Sequence, residues 1–228
     1  MKKRLGFVQE EEEDLKVGSA VPISTVPPIL YIPTSYGDML RYRGLQRGTV
    51  RFNFAIDEQT STFLQDQVDE AIACGCKEIT LSITSPGGSI YEALGLFDYF
   101  HYVQREHGVR IEGRVNGYVA SASAMVVLQA MAHRSIYPSA RVMLHEAHFG
   151  SGGTTSAVGK QLAEVRIVQK MAFNVLSSRV NITEAQLKRE TLNKDWWISA
   201  QKARDIGLVD EVLNAYAPDH LEPIVKAE

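Results

Sequence analysis

The stretch Val115-Asn-Gly-Tyr-Val-Ala-Ser-Ala-Ser-Ala-Met-Val-Val-Leu-Gln-Ala130 is largely apolar but carries two hydroxyl side chains, those of Ser121 and Ser123. Its composition predicts a buried helix that directly follows a strand. A buried hydroxyl group without a hydrogen-bond partner costs about 1–3 kcal/mol. The two serines therefore either allow backbones to pack closely, or one of them takes part in chemistry.

Strand patterns and helix patterns alternate along the chain on both sides of this stretch. Strands are predicted at residues 29–32, 49–56, 78–84, 109–115 and 140–145, and helices at residues 62–74, 90–107 and 115–130. Strands separated by helices of this length are joined by right-handed parallel crossovers. The sequence therefore predicts an α/β fold built around a parallel sheet.

A long amphipathic segment follows the glycine-rich connection Phe149-Gly-Ser-Gly-Gly-Thr-Thr155. Its apolar residues recur at helical spacing and predict a helix over residues 156–180. These residues are Val158, Leu162, Val165, Val168, Met171, Ala172, Val175 and Leu176. Such a helix either packs on its own domain or extends beyond it to contact another subunit. Shorter helices are predicted at residues 183–192 and 200–206.

Length and composition limit the classes of protein to consider. The 228 residues suffice for one domain with its own core, which we take as residues 28–228, and we expect residues 1–27 to form a mobile arm. A net charge of −3 offers no basic surface for nucleic acid. The basic start lacks the apolar stretch of a secretory signal, and no apolar run reaches the roughly 18 residues that span a bilayer. We therefore expect a cytoplasmic protein with no nucleic-acid or membrane partner.

The two cysteines, Cys74 and Cys76, are separated by one residue. A typical zinc site would need a second pair of ligands, and cysteines at this spacing rarely reach disulfide geometry. We expect both to act as small apolar side chains at the end of a helix, and we expect no metal or cofactor.

Three polar residues are candidates for nucleophilic catalysis. Ser121 lies near a helix N-terminus, where free N–H groups and the helix dipole favour developing negative charge. His145 ends a strand, and strand ends are where sites form in α/β proteins. Asp195 lies in a turn before two tryptophans. A serine nucleophile needs a base, and the base needs an orienting carboxylate.

Each of these residues also has a structural interpretation, and each role has competitors. Ser121 alone is more often a small packing residue, a lone histidine is often structural, and a lone aspartate is often a helix cap. His133 and His148 compete for the role of base. Glu146 competes with Asp195 for the role of orienting carboxylate.

The turn Ser85-Pro-Gly-Gly-Ser89 adds an independent element between a predicted strand and a predicted helix. Two successive glycines allow the backbone to turn its N–H groups outward, where they can bind an oxyanion or an extended peptide. The alternative interpretation is an ordinary turn that joins a strand to a helix.

Four segments in this order resemble the proteolytic subunit of the Clp protease. They are Ile83-Thr-Ser-Pro-Gly-Gly-Ser-Ile, Gly117-Tyr-Val-Ala-Ser-Ala, Tyr137-Pro-Ser-Ala-Arg-Val-Met-Leu-His145 and Gly207-Leu-Val-Asp210. The resemblance covers residues 37–213. It implies a spiral of repeated β-β-α and βαβ units, as in crotonases, with a projecting handle helix in the region of residues 150–192.

The resemblance also implies roles for individual residues. Ser121, four residues after Gly117, takes the position of the nucleophile, His145 that of the general base, and Asp195 that of the orienting carboxylate. The backbone N–H groups of Gly88 and Ala122 would form the oxyanion hole.

The function implied is that of a serine endopeptidase working inside stacked heptameric rings. An AAA+ unfoldase would feed it unfolded proteins or peptides, and the chain itself has no G-x-x-x-x-G-K-[ST] motif for ATP. Three alternatives stay open: a catalytically silent ring subunit of the same family, a crotonase-type acyl-CoA enzyme, and a relative of membrane-bound signal-peptide peptidases.

The chain departs from the family pattern beside the catalytic positions. Ala122-Ser123 follows the proposed nucleophile, where Met-Gly or Met-Ala is frequent, and Glu-Ala-His follows His145, where Gln-Pro is usual. The spacing between Ser121 and His145 is one residue shorter than usual. These differences bear on the unfoldase partner and on peptide preference.

Overall fold

The computed structural model describes residues 35–214, so the arm expected at 1–27 and the strand predicted at 29–32 lie outside the described residues. The helices are α1 (Tyr36–Leu45), α2 (Glu58–Ala73), α3 (Ile90–His107), α4 (Ser121–Met125), α5 (Thr155–Ser177), α6 (Glu184–Thr191) and α7 (Ala200–Asp205). The strands are β1 (Thr49–Phe52), β2 (Glu78–Ser85), β3 (Arg110–Ala120), β4 (His133–Ile136), β5 (Arg141–Leu144), β6 (Trp196–Ser199) and β7 (Glu211–Val212).

The seven strands within residues 35–214 form one sheet that is parallel except at one edge. The main path runs β1-β2-β3-β4-β7, and all its pairs are parallel. A branch consists of β5, which pairs in parallel with β3, and of β6, which pairs antiparallel with β5. The predicted α/β fold with a mostly parallel sheet is therefore confirmed. The spiral arrangement and the handle stay predictions.

The branch arises because β3 changes its partner halfway along its length. Residues 112–115 pair with β4, and residues 118–120 pair with β5. Gly117, with a φ of 60°, lies between the two halves and allows the strand to bend. The prediction of a helix over residues 115–130 was therefore wrong for its first six residues. The helix α4 begins only at Ser121, and a short 3₁₀ turn over Val127–Ala130 follows it.

The core lies where the apolar faces of the helices meet the sheet. The buried residues of β2 alternate along the strand, as they do in a strand with one face against the core. Phe52, Phe100 and Phe173 are among the largest side chains that are fully buried. Together they join β1, α3 and the C-terminal half of α5 into one core.

The helix predicted over residues 156–180 is confirmed as α5, at Thr155–Ser177. At about 1.5 Å per residue it is roughly 34 Å long. Its buried residues, Val168, Ala172, Phe173 and Leu176, lie in its C-terminal half, whereas Ile167 and Met171 are exposed large apolar side chains. None of the helices within residues 35–214 combines the length and apolar character needed to cross a membrane.

Candidate active site

The branch of the sheet brings the three candidate catalytic residues to neighbouring strand ends. Ala120 pairs with Met143, so the chain leaves β3 at Ser121 beside the point where it leaves β5. On the other side of β5, Leu144 pairs with Trp196. His145 follows Leu144 and Asp195 precedes Trp196, which sets these two residues opposite each other at the same end of the sheet.

Ser121 has a backbone conformation that is unusual for a residue with a side chain. Its φ is 53°, in the left-handed region, where a non-glycine residue costs about 1–3 kcal/mol. Its Oγ forms no hydrogen bond with any residue in the described range 35–214, and the side chain is partly exposed. Strain of this kind is concentrated at functional sites, and here it accompanies a sharp passage from a strand into a helix.

A glycine turn packs directly against the start of this helix. A Cβ atom on Gly87 would lie 2.7 Å from both the Ala120 carbonyl oxygen and the Ser121 Cβ. A Cβ atom on Gly88, whose φ is 150°, would lie 2.2 Å from the carbonyl oxygen of Ile56. Both positions therefore require glycine for close approach of the backbone.

The hydrogen bonds of this turn leave the N–H group of Gly88 directed away from Ile56. Ile56 forms a parallel bridge with Gly88, in which its N–H donates to the Gly87 carbonyl (2.8 Å) and its carbonyl accepts from the Ser89 N–H (2.8 Å). The N–H of Gly88 consequently points to the side opposite Ile56. The N–H of Ala122 lies in the first turn of α4, where no side chain caps the helix.

His145 lies close to both Asp195 and His148. One ring nitrogen of each histidine and a carboxylate oxygen of Asp195 all lie within 4.8 Å of one another. The two imidazole rings have their centroids 4.4 Å apart, at 58°. Nδ1 of His145 is buried and has no hydrogen-bond partner among the described residues. The three side chains are therefore neighbours whose hydrogen bonds are not formed in this conformation.

The surroundings of His145 favour its neutral form. Burial lowers the pKa of the imidazole below its ordinary value of 6.5, and the neighbouring His148 lowers it further. Asp195 acts in the opposite direction, because its negative charge favours the imidazolium. The result is a neutral base beside a carboxylate.

Glu146 has a different partner from the one considered in the sequence. Its Oε1 accepts a hydrogen bond from the backbone N–H of Asn193, at 2.9 Å. Asn193 is in the left-handed conformation, with a φ of 55°, two residues before Asp195. Glu146 thus ties the turn that carries Asp195 to the segment that carries His145.

The hydroxyl group of Ser123, the second serine of residues 115–130, forms a structural contact. Ser123 is fully buried, and its Oγ lies 2.7 Å from Ser85 Oγ. Ser85 in turn donates to the Phe54 carbonyl (2.6 Å) and accepts from the Gly87 N–H (3.3 Å). Ser123 therefore connects helix α4 to the glycine turn.

Four of the five candidate residues line one cavity of about 420 Å³, and Asp195 does not contribute to its wall. Gly88, Ser121, Ala122, His145 and His148 all contribute to its wall. Helix α5 contributes Val165, Val168, Gln169 and Ala172, so part of the cavity wall is a helix surface.

Two hydrogen bonds made by residues of the cavity wall involve side chains that the sequence alone did not indicate. Gln169 on α5 accepts a hydrogen bond from the Ala147 N–H through its Oε1, at 2.8 Å. Tyr91 at the start of α3 donates to Glu164 on α5, at 2.9 Å. No local pattern marks these residues, because their partners lie 22 and 73 positions away along the chain.

The other candidates lie outside this site. His133 contacts Glu211, at 3.1 Å, and does not line the cavity. Cys74 and Cys76 are free thiols. The Sγ of Cys76 lies 3.4 Å from the carbonyl oxygen of Leu45, where it packs as a small side chain.

Comparison with known proteins gives consistent matches. The family model described as Clp protease matches residues 45–216. The ATP-dependent Clp protease proteolytic subunit of Bacteroides fragilis is 29% identical over 160 residues, which cover 69% of this chain and 75% of that protein. Subunit 2 of the same name from Thermobifida fusca is 30% identical over 169 residues, which cover 68% of this chain and 81% of that protein. Subunit 1 from Salinibacter ruber is 31% identical over 147 residues, which cover 64% of this chain and 61% of that protein.

Proposed function

The chain belongs to the Clp protease family, and we propose that it is a serine endopeptidase whose nucleophile is Ser121. The resemblance noted in the sequence is confirmed at the level of the family, which argues against the acyl-CoA enzyme and the membrane-bound peptidase. The observation that carries the proposal is the strand pairing of Ala120 with Met143 and of Leu144 with Trp196. This pairing supports a common site for Ser121, His145 and Asp195.

The proposed reaction begins with attack by Ser121 Oγ on the carbonyl carbon of a peptide bond. One imidazole nitrogen of His145 takes the hydroxyl proton, while the other nitrogen donates a hydrogen bond to the Asp195 carboxylate. His145 then gives the proton to the leaving amine, and the acyl group stays on Ser121. A water molecule, deprotonated by His145, releases the acid and regenerates the serine.

The oxyanion of each tetrahedral intermediate would be bound by the N–H groups of Gly88 and Ala122. Two features support this assignment. The bridge with Ile56 directs the Gly88 N–H away from Ile56, and the first turn of α4 has no side-chain cap to occupy the Ala122 N–H. Preorganised donors of this kind contribute about 2.7–4 kcal/mol each to transition-state stabilisation.

The proposal requires small movements of side chains before catalysis. A ring nitrogen of His145 and a carboxylate oxygen of Asp195 lie within 4.8 Å of one another, whereas a catalytic hydrogen bond measures about 2.6–3.2 Å. Rotation of the exposed Asp195 side chain and of His145 supplies a movement of this size. Catalytic hydrogen bonds commonly shorten only when substrate binds.

The proposal also includes the partner ATPase, the oligomeric assembly and the cellular location. The relatives are called ATP-dependent, and we propose that an AAA+ unfoldase supplies unfolded chains to this protein as well. We propose stacked heptameric rings, with α5 as the handle between them, because α5 exposes Ile167 and Met171. The single domain over 28–228 and the cytoplasmic location stay predictions.

A catalytically silent ring subunit is the second candidate, and one observation favours it. Ser121 Oγ has no hydrogen bond within residues 35–214, and Nδ1 of His145 is buried without one. A serine that is never activated would show the same geometry. The two candidates differ in whether Ser121 reacts with a serine-directed reagent.

The deciding experiment is labelling with a fluorophosphonate, followed by peptide mapping of the assembled protein. The wild type should be labelled on Ser121, and Ser121→Ala should not be labelled. Ser178→Ala is the matched control, because this exposed serine at the end of α5 lies outside the cavity and its loss should keep the label. Absence of label from assembled wild-type protein would refute the peptidase and favour the silent subunit.

A further inference from the structure

The side chains of His145, His148 and Asp195 form a group that the peptidase mechanism does not fully use. Each offers one atom with a lone pair, and these three atoms lie within 4.8 Å of one another. The proposed mechanism needs His145 and Asp195 but gives His148 no role. His148 is exposed, yet its ring lies with its centroid 4.4 Å from that of His145.

Two imidazoles and one carboxylate are a ligand set that suits Zn²⁺. Zinc binds histidine nitrogen and carboxylate oxygen at about 2.0–2.2 Å in tetrahedral geometry, so that neighbouring ligand atoms are about 3.4 Å apart. The present separations of up to 4.8 Å would have to shorten by about 1.4 Å. Magnesium and calcium fit poorly, because they prefer sets made of oxygen ligands.

The positions of the three residues in the fold allow this closure. His145 is half-buried and is held at the end of β5. Asp195 and His148 are exposed, one in the turn before β6 and the other in the segment after β5, so both side chains are free to rotate. Both histidines line the cavity that also contains Ser121. A fourth ligand position on the metal is thus available to water or to substrate.

We propose that His145, His148 and Asp195 form a site for Zn²⁺ that switches the peptidase off when the ion is bound. The switching role rests on the proposed function. A metal ion held by His145 occupies the lone pair that would accept the proton of Ser121. The same ion holds the carboxylate of Asp195, which can then no longer orient the imidazole. Removal of the ion restores both groups.

Metal binding is tested first in a protein that cannot hydrolyse peptides. The full chain with Ser121→Ala is titrated with Zn²⁺ by calorimetry, and with Co²⁺, whose visible absorption reports tetrahedral nitrogen and oxygen ligands. We expect one ion per chain. Adding His148→Ala should weaken binding by at least about tenfold, as loss of a ligand should cost no less than loss of a supporting residue.

A matched control uses a histidine remote from the cavity. His107 ends α3, about 25 Å along the helix from Ile90, which lines the cavity. His107→Ala should leave Zn²⁺ binding unchanged. The absence of zinc binding, or binding that does not change in His148→Ala, would overturn the site.

The switching role is tested with Ser121 present. Peptide hydrolysis is measured with Zn²⁺ and is divided by the rate of the same variant in EDTA. This ratio should fall steeply with zinc in the wild type and in His107→Ala, but should stay near one in His148→Ala. A ratio that stays near one in the wild type, despite bound zinc, would overturn the switch.

The two proposals fail in different ways. If assembled protein takes no fluorophosphonate label in EDTA, yet binds zinc through His148 when EDTA is absent, the peptidase proposal fails, and the switching role fails with it while the site stands. If Ser121 is labelled and no zinc binds, the peptidase proposal stands and the metal site fails alone.

Discussion

The hydroxyl oxygens of two buried serines, Ser85 at the end of β2 and Ser123 in α4, lie 2.7 Å apart. Through Ser85 this contact extends to the carbonyl of Phe54 and to the N–H of Gly87. The helix that begins with Ser121 and the turn that contains Gly88 are therefore held by one hydrogen-bond network. Both proposed oxyanion donors depend on its geometry.

Removal of the two hydroxyls should have unequal effects on stability. Ser123→Ala removes one hydrogen bond and leaves the bonds of Ser85 to Phe54 and Gly87, so it should cost about 1 kcal/mol. Ser85→Ala leaves two buried groups and one partly buried group without their partner and should cost about 2–3 kcal/mol. The free energy of unfolding from urea denaturation measures both. Equal losses would contradict a network centred on Ser85.

The bond between Glu146 and the Asn193 N–H predicts an effect on catalysis rather than on substrate binding. Glu146→Ala releases the turn that carries Asp195, and a misplacement of about 1 Å can cost up to about 100-fold in rate. We expect kcat for a short peptide to fall at least about tenfold with a smaller change in KM. Glu146→Gln keeps an oxygen that accepts the same bond and should restore most of kcat. Equal loss in both variants would indicate that the charge of Glu146, and not its hydrogen bond, matters.

Arg134 and Asp210 form an ion pair that explains the Gly207-Leu-Val-Asp210 motif. The Arg134 side chain is 4% exposed, and its Nε and Nη2 both donate to the Asp210 carboxylate. Asp210→Asn leaves this buried cation without its counter-ion. Because Asp210 is itself 34% exposed, we expect the free energy of unfolding to decrease by about 2–3 kcal/mol. This is less than the roughly 3–5 kcal/mol that removal of one partner costs in a fully buried pair.

The control for this ion pair is Asp205→Asn. Asp205 lies 3.8 Å from Arg204, and both side chains are half exposed. Exposed pairs of this kind contribute little, so the unfolding free energy should change by less than about 0.5 kcal/mol. A comparable loss in both variants would contradict the special role of the buried guanidinium.

Much of the fold could be predicted from hydrophobic periodicity, and the exceptions have physical causes. α1 was not predicted, because it buries only Leu45 and so lacks an apolar stripe. β6 was not predicted, because its four residues are held in a strand by pairing with β5. The extension of β3 past Gly117 also depends on β5, which lies more than 20 residues further along the chain.

The candidate site was predictable in its residue types but not in its supporting contacts. Ser121 and His145 could be selected because each lies at or near the end of a predicted strand, and Asp195 because it lies in a turn and matches the position of the family's aspartate. The partners of Ser123 and Glu146 lie 38 and 47 residues away along the chain. Hydrogen bonds over such separations depend on the folded backbone and leave no local pattern.

The charges around His145 predict the direction of pH effects on catalysis. His148, Asp195 and Glu146 are the charged or titratable groups beside it, and burial is the largest cause of its lowered pKa. Only neutral His145 accepts a proton. We therefore expect kcat/KM to be maximal at pH values above the pKa of His145 and to decrease as the pH falls through this pKa. The midpoint of this acid limb should lie below 6.5, measured with EDTA present to exclude metal.

Two variants test the causes of this shift separately. His148→Gln removes a neighbour that lowers the pKa of His145, so the midpoint should move to higher pH. Asp195→Asn removes the charge that raises this pKa, so the midpoint should move to lower pH while the maximal rate also falls sharply. A downward shift in His148→Gln would show that its imidazole does not act on His145 through charge.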